Sequence, residues 1–436
     1  MRKILLGTTA VVGLALAAPA AFAQSSLVGQ GPAGGAGSQP VTTSGLSVRL
    51  GGFLDMFYGS VSDDADKAIY RGANTSARQG SDLRNEAEIN LYVDGTAANG
   101  LRYGIVFELQ MDNQTNTGVD YDELYGFVKG AWGEVRFGQE DHAASLINVS
   151  APGVMGQGAS GQWDEFLVTN TAPVAGSYYN SMGGSAPYLM TSPFDGGDAT
   201  KLVYLTPQFN GFDVAVSWAV NGGEGERTDT QRDRTGLENQ MSAALRYRGT
   251  LGPVGIQASF SGSRADAPSQ TSTGTALTAL RDFSAYSGGL TLSAMGFAVG
   301  GEYTWGNYAG NVSGAQREGL DQSKHWLVGA TYTIDAFQIG VQYGVADQDN
   351  GVDTSGNKLD DRQQKYWSIG AQYVVAPGMT LFGNWAQISD KNVPSATPGA
   401  TAATASMTSS SNTVNWGGGD RIRNIDVLML GARIAF

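Results

Sequence analysis

From Leu83 the chain reads "LRNEAEINLYVDG", with apolar and polar residues taking turns. Leu83, Ala87, Ile89, Leu91 and Val93 share one parity; Arg84, Glu86, Glu88, Asn90 and Asp94 share the other. A two-residue period predicts an extended strand with one greasy and one wetted face. The pattern recurs. Leu101, Tyr103, Ile105, Phe107 and Leu109 oppose Arg102, Glu108 and Gln110, and Phe337, Ile339, Val341 and Tyr343 oppose Gln338 and Gln342.

From Gly45 onward such segments, about ten residues each, are separated by breaks of two alternating kinds. Short ones, such as "DGTAANG" (94–100), "PQFNGF" (207–212) and "VAPGM" (374–378), carry the Gly, Asn, Asp and Pro of tight turns. Long ones are polar and Gly-rich: roughly 60–81, 112–120, 140–199, 221–238, 264–282, 306–323, 347–364 and 389–424. Seven short and eight long breaks predict sixteen strands in an up-and-down meander. A soluble sandwich also alternates, but its strands average only about five or six residues. About ten residues is the length that crosses a bilayer at a tilt. Aromatics gather near strand ends (Phe53, Phe57, Tyr58, Trp132, Phe209, Phe212, Trp218, Trp305, Trp326, Tyr366, Trp367), as rings do at a membrane–water boundary. Hydrocarbon cannot satisfy a free sheet edge, so the sheet must close. Sixteen strands close around water rather than a packed core. The expectation is an all-β transmembrane antiparallel barrel, greasy parity to lipid and charged parity to the lumen.

Composition sharpens this picture. Arg2 and Lys3, an apolar run from Ile4 and "AFA" at Ala21–Ala23 predict a signal peptide over 1–23. A Gly/Ser/Pro-rich flexible segment is expected over 24–45, and the barrel over 46–436. Lys and Arg total 27 against 40 Asp and Glu, a net charge of −13, which argues against nucleic acid as a partner. There is no Cys, which excludes disulfides, thiolate metal sites and Cys nucleophiles. Beyond the leader no apolar run is long enough for a membrane helix.

Several stretches resemble Gram-negative general diffusion porins, most nearly the alphaproteobacterial type: "LSVRLGGFLDMFYG" (46–59), "DELYGFVKGAWGEVRFGQED" (122–141), "ATKLVYLTPQFNGFDVAVSW" (199–218) and the closing "LMLGARIAF". The resemblance implies an integral outer-membrane protein, a homotrimer, periplasmic short turns and extracellular long loops. It also implies a third loop, here 140–199, folded into the lumen as the constriction. Terminal Phe436, in step with Leu428, Leu430, Ala432 and Ile434, resembles the signal read by the outer-membrane barrel-insertion machinery. The family's "PEFGG" element is missing from the long loop, where "WDEF" (163–166) stands instead.

A pore needs a hole and fixed charges rather than a catalyst. Candidate basic wall residues are Arg49, Arg84, Arg102, Lys129, Arg136 and Lys201. Candidate acidic loop residues are Glu140, Asp141, Asp164, Glu165, Asp195 and Asp198. Opposed rows would set a transverse field across the lumen; alternatively these are solvated charges, some paired with Glu86, Glu88, Glu108 or Glu123. The acidic balance predicts passive diffusion of small hydrophilic solutes and ions with weak cation preference. His142 and His325 are isolated, and no metal or cofactor is expected. "DQDNGVDTSGNKLDD" (347–361) resembles a calcium loop but has Gly351 one position early for the EF-hand pattern, so a solvated loop is the plainer expectation. Rival readings are a substrate-selective channel on the same barrel, an outer-membrane hydrolase, and a plugged adhesin. A sugar channel would show aromatics along the lumen, and a hydrolase a Ser/His constellation that the sequence lacks.

Overall fold

The computed structural model describes residues 41–43, 45–64, 79–111, 120–158, 163, 166, 198–222, 236–269, 276, 280–308, 311–312, 315–316, 318–349, 358, 360–392 and 422–436. The expected signal peptide and most of the 24–45 segment lie outside these. Sixteen strands form the wall. They are β1 (Leu46–Asp63), β2 (Ser81–Thr96), β3 (Arg102–Gln110), β4 (Asp120–Gly130), β5 (Gly133–Gln139), β6 (Thr200–Leu205), β7 (Phe212–Asn221) and β8 (Glu238–Leu251). The second half comprises β9 (Val254–Asp266), β10 (Phe283–Ala294), β11 (Phe297–Asn307), β12 (Ser323–Ile334), β13 (Phe337–Gln348), β14 (Arg362–Ala376), β15 (Met379–Lys391) and β16 (Ile422–Ala435).

Each strand pairs antiparallel with the next. The ring closes where β16 pairs β1, from Ile425↔Asp63 to Ala435↔Phe53. Phe436 completes the seam by exchanging backbone hydrogen bonds with Gly52, both 3.1 Å. The short turns use the backbone freedom their sequences offer. Asn210 and Gly211 both take positive φ (48° and 88°) between Phe209 and Phe212, the geometry of a two-residue hairpin turn.

The barrel is packed inside out. Along β13, Ile339, Val341 and Tyr343 are exposed outward (Val341 50 %), while Gln342 between them is 4 % exposed. Leu428 and Leu430 on β16, and Val214, Val216 and Trp218 on β7, likewise face out. Asp55, Glu86, Glu88, Asn90, Asp213 and Ser217 are buried on the other face. Water would penalise such an arrangement; a bilayer rewards it, since apolar side chains meet hydrocarbon and every backbone group pairs within the sheet.

Three details differ from the sequence reading. Strands range from 6 to 18 residues rather than uniformly about ten. Val41–Thr43, within the segment expected to be flexible, folds back through Gly45 (φ 82°) and pairs with Leu46–Val48. Phe53, Phe57 and Tyr366 do not sit at the lipid boundary but point inward, buried. Phe57 and Tyr366 belong to an apolar patch on the inner wall with Phe382, Ile388, Ile425, Val427 and Met429, while Phe53 lies under the Arg433 guanidinium. β16 is thus apolar on both faces, as a strand covered on both sides should be.

Candidate functional site

The third long connection leaves β5 at its long-connection end and runs inside the barrel. At its root Arg136 donates to Glu134 and to Glu140, both at 2.7 Å, and its guanidinium lies 4.9 Å from the Tyr125 ring centre. Lys201 of β6 donates to the Glu140 carbonyl. Burial raises the Glu140 carboxyl pKa, and Arg136 and Lys201 oppose that rise.

Beyond the root, small polar side chains of the wall receive the loop backbone one strand at a time. A short helix, α1 (Ala143–Leu146), begins at His142. Ser217 Oγ accepts the Ala143 N–H at 3.0 Å, Ser242 Oγ the Ala144 N–H at 2.7 Å, and Ser259 Oγ the Val149 N–H at 2.8 Å. Further round, Gln372 Oε1 accepts the Met155 N–H at 2.9 Å, and Gln342 donates to the Pro152 carbonyl at 3.1 Å. The backbone comes so close that only glycine fits beneath it. A Cβ at Gly289 would strike the Val149 carbonyl, and one at Gly329 the Pro152 carbonyl. The apolar inner patch is then roofed by Ala151, Met155, Trp163 and Phe166, with Trp163 stacked on Tyr366 at 5.5 Å.

His142 is locked into this docking. Its Nδ1 lies 3.0 Å from Ser217 Oγ and its Nε2 2.9 Å from Gln240 Oε1. Burial, and then the charge of Lys201, lower its pKa to about 4. His325 instead meets the Tyr308 hydroxyl through Nδ1 at 2.9 Å. Neither histidine stands in a ligand cluster among the described residues.

The six basic candidates are all on the inner parity, but at two depths. Arg84, Arg136 and Lys201 lie toward the long connections. Arg84 stacks on the Phe166 ring at 5.1 Å and pairs with Asp82 at 3.4 Å. Arg136 and Lys201 are almost fully buried around Glu140. Arg49, Arg102 and Lys129 lie toward the short turns, with Arg49 and Arg102 sharing Asp94 at 3.6 and 3.0 Å and Lys129 3.4 Å from Glu134.

Of the acidic candidates, Glu140 meets the basic pair Arg136 and Lys201, whereas Asp141 and Asp198 join another acid. Asp141 and Asp198 share one cluster with Glu123, and Glu88, Glu108 and Asp122 form a second; within each, carboxylate oxygens lie within 4.8 Å of one another. These are the places, among the described residues, where oxygen atoms crowd closely enough to hold a hard divalent cation. Asp164, Glu165 and Asp195 lie outside the described residues.

The wall acids owe their placement to an irregularity that strict alternation hides. Pairing of β3 with β4 shifts between Phe107 and Leu109, a β-bulge. It lets two consecutive residues, Asp122 and Glu123, both reach lumen carboxylates. In the 347–361 stretch, the Lys358 amine lies 2.6 Å from Asp349 and 3.3 Å from Asp321, so a fixed cation already meets those carboxylates. Residues 350–357 of that stretch lie outside the described set.

Comparison with known proteins places this geometry in context. The profile described as Gram-negative porin matches residues 7–393. Among solved structures, the anion-selective porin from Comamonas acidovorans is 16 % identical, with 90 % of this chain and 100 % of that one covered and a TM-score of 0.53. The outer membrane channel DcaP of Acinetobacter baumannii is 13 % identical, covering 91 % and 99 %, with a TM-score of 0.54. In-vitro folded OmpT of Vibrio cholerae, in its trimer form, is 11 % identical, covering 89 % and 99 %, with a TM-score of 0.50. No curated protein sequence matches the chain. Identities this low establish the shared fold alone.

Proposed function

Because the chain belongs to the Gram-negative porin family, an outer-membrane channel family, we propose that it lets small hydrophilic solutes and ions diffuse passively, with a weak preference for cations. The observation that carries the selectivity is the arc of lumen carboxylates Glu88, Glu108, Asp122, Glu123, Asp141 and Asp198 beside the inserted loop. Confined carboxylates are screened less than in bulk water and raise the local cation concentration. The short turns are periplasmic and the long connections extracellular, residues 1–23 direct export, and Phe436 serves the insertion machinery. The working unit is a homotrimer, a reading supported by the trimeric OmpT relative.

Planar-bilayer recording tests this. The purified protein should give large, steady, ohmic steps, and its reversal potential in a KCl gradient should have the sign of cation preference. Replacing Glu108 and Glu123 with Gln should move that potential toward zero. Anion preference in the unaltered protein would refute the selectivity, and absence of conductance would refute the channel.

A further inference from the structure

The charges of the lumen are sorted by depth. At the short-turn end stand two Arg–Asp–Arg triads: Arg49 and Arg102 on Asp94, and Arg246 and Arg248 on Asp213 at 2.5 and 3.2 Å. Each triad spends one carboxylate on two guanidiniums and so keeps a net positive charge. Arg49, Arg102 and Arg248 retain 44 %, 38 % and 29 % of their side-chain exposure, open to the interior water. Lys129 at this depth shares Glu134 with Arg136, and nearer mid-wall Arg433 pairs with Asp55.

Toward the long connections the sign reverses. Glu88, Glu108, Asp122, Glu123, Asp141 and Asp198 crowd together, while the nearby cations Arg136 and Lys201 are taken up by Glu134 and Glu140. Glu108 stands six residues beyond Arg102 on the same strand. At about 3.3 Å per residue that separates the two zones by roughly 20 Å along β3.

We propose that this acid zone and this basic zone, set in series along one lumen, make the channel rectify ionic current. The inference rests on the channel reading above and concerns how that channel conducts. A zone of fixed negative charge admits cations and repels anions; a positive zone does the reverse. With the long-connection side positive, cations enter through the acids and anions through the arginines. Each is held back at the other's zone, so carriers accumulate between them and current is high. Reversing the field empties that region, and current falls. Two opposed filters in series also keep net selectivity weak.

The test uses single channels of the purified protein in symmetric KCl, comparing current magnitude at equal voltages of opposite sign. At ~0.01 M salt the Debye length is about 30 Å, longer than the separation of the zones, and a ratio of about 1.5 to 2 is expected. At 1 M it is about 3 Å, and the ratio should fall to one. Arg49→Gln with Arg102→Gln should reduce the low-salt ratio toward one, and Arg248→Gln provides a second variant on the opposite triad. Steady current with a ratio of one at every salt concentration would overturn the inference while leaving the channel intact. A ratio that survives 1 M salt would also overturn it, as would one that survives loss of the arginines. No current at all would sink the channel reading itself.

Discussion

His142 offers a way to unfasten the inserted loop without cutting the chain. Its ring is buried between Ser217 and Gln240, one residue before the helix that begins the docked segment. Neutral imidazole fits: Nε2–H donates to Gln240, and Nδ1 accepts from the Ser217 hydroxyl, whose oxygen in turn accepts the Ala143 N–H. A second proton would make both ring nitrogens donors, and Ser217 would lose the acceptor for its own hydrogen. Lys201 adds repulsion. The docked pKa of about 4 lies below the ordinary value of 6.5, so the undocked loop binds this proton first. The contribution of His142 to docking is therefore complete above about pH 6.5 and is lost as pH falls toward 4. At about 1.4 kcal/mol per pH unit the span amounts to roughly 3 kcal/mol, enough to change the docking equilibrium constant by about a hundredfold or more. Single-channel recordings between pH 7.5 and 4 should show acid-induced current fluctuations in the unaltered protein. His142→Gln, which has no proton to gain, should lose the component between pH 6.5 and 4 while keeping any effect of Glu140 and the lumen acids. Superimposable acid profiles for the two proteins would refute the reasoning.

Other perturbations separate the lipid face from the lumen. Val341→Arg puts a charge on the outward face of β13 near mid-strand and should cost about 2–4 kcal/mol in urea unfolding from lipid vesicles. Arg362→Ala leaves the fully buried Asp390 without its guanidinium and should lower stability by about 3–5 kcal/mol, seen as a lower temperature for loss of the folded band on unheated gels. Gly329→Val should drive a side chain into the Pro152 carbonyl, displace the loop from β12 and alter unitary conductance while leaving the barrel's circular dichroism unchanged.

The barrel was legible because its rule is local and repeated. Every strand must offer hydrocarbon to one side and water or the loop to the other, so Ile339, Val341 and Tyr343 against Gln342 identify their faces without reference to any distant residue. Strand number followed from counting turns, and closure from the cost of an open edge in lipid. Such a rule constrains pattern rather than identity, which is why the fold is shared with outer-membrane proteins only 11 to 16 % identical.

What the alternation concealed lies where the chain departs from it, and those departures sit around the inserted loop. The bulge opposite Glu108 brings Asp122 and Glu123 together into the lumen, although strict parity would have sent one of them to lipid. β16 carries Ile425, Val427 and Met429 inward as well as Leu428 and Leu430 outward; the sequence displays this plainly, but it reads as a weak strand unless one asks what covers the inner side. Ser217, Ser242 and Ser259 look like ordinary wetted positions, and their role appears only when residues 74 to 110 positions away in sequence are laid against them. A second hint was available in Gly289 and Gly329, since a mid-strand glycine often marks a close backbone approach. The bulge, the doubly apolar strand and the mid-strand glycines thus all lie against the inserted loop, and a reading that treats them as noise recovers the barrel while missing how that loop is seated.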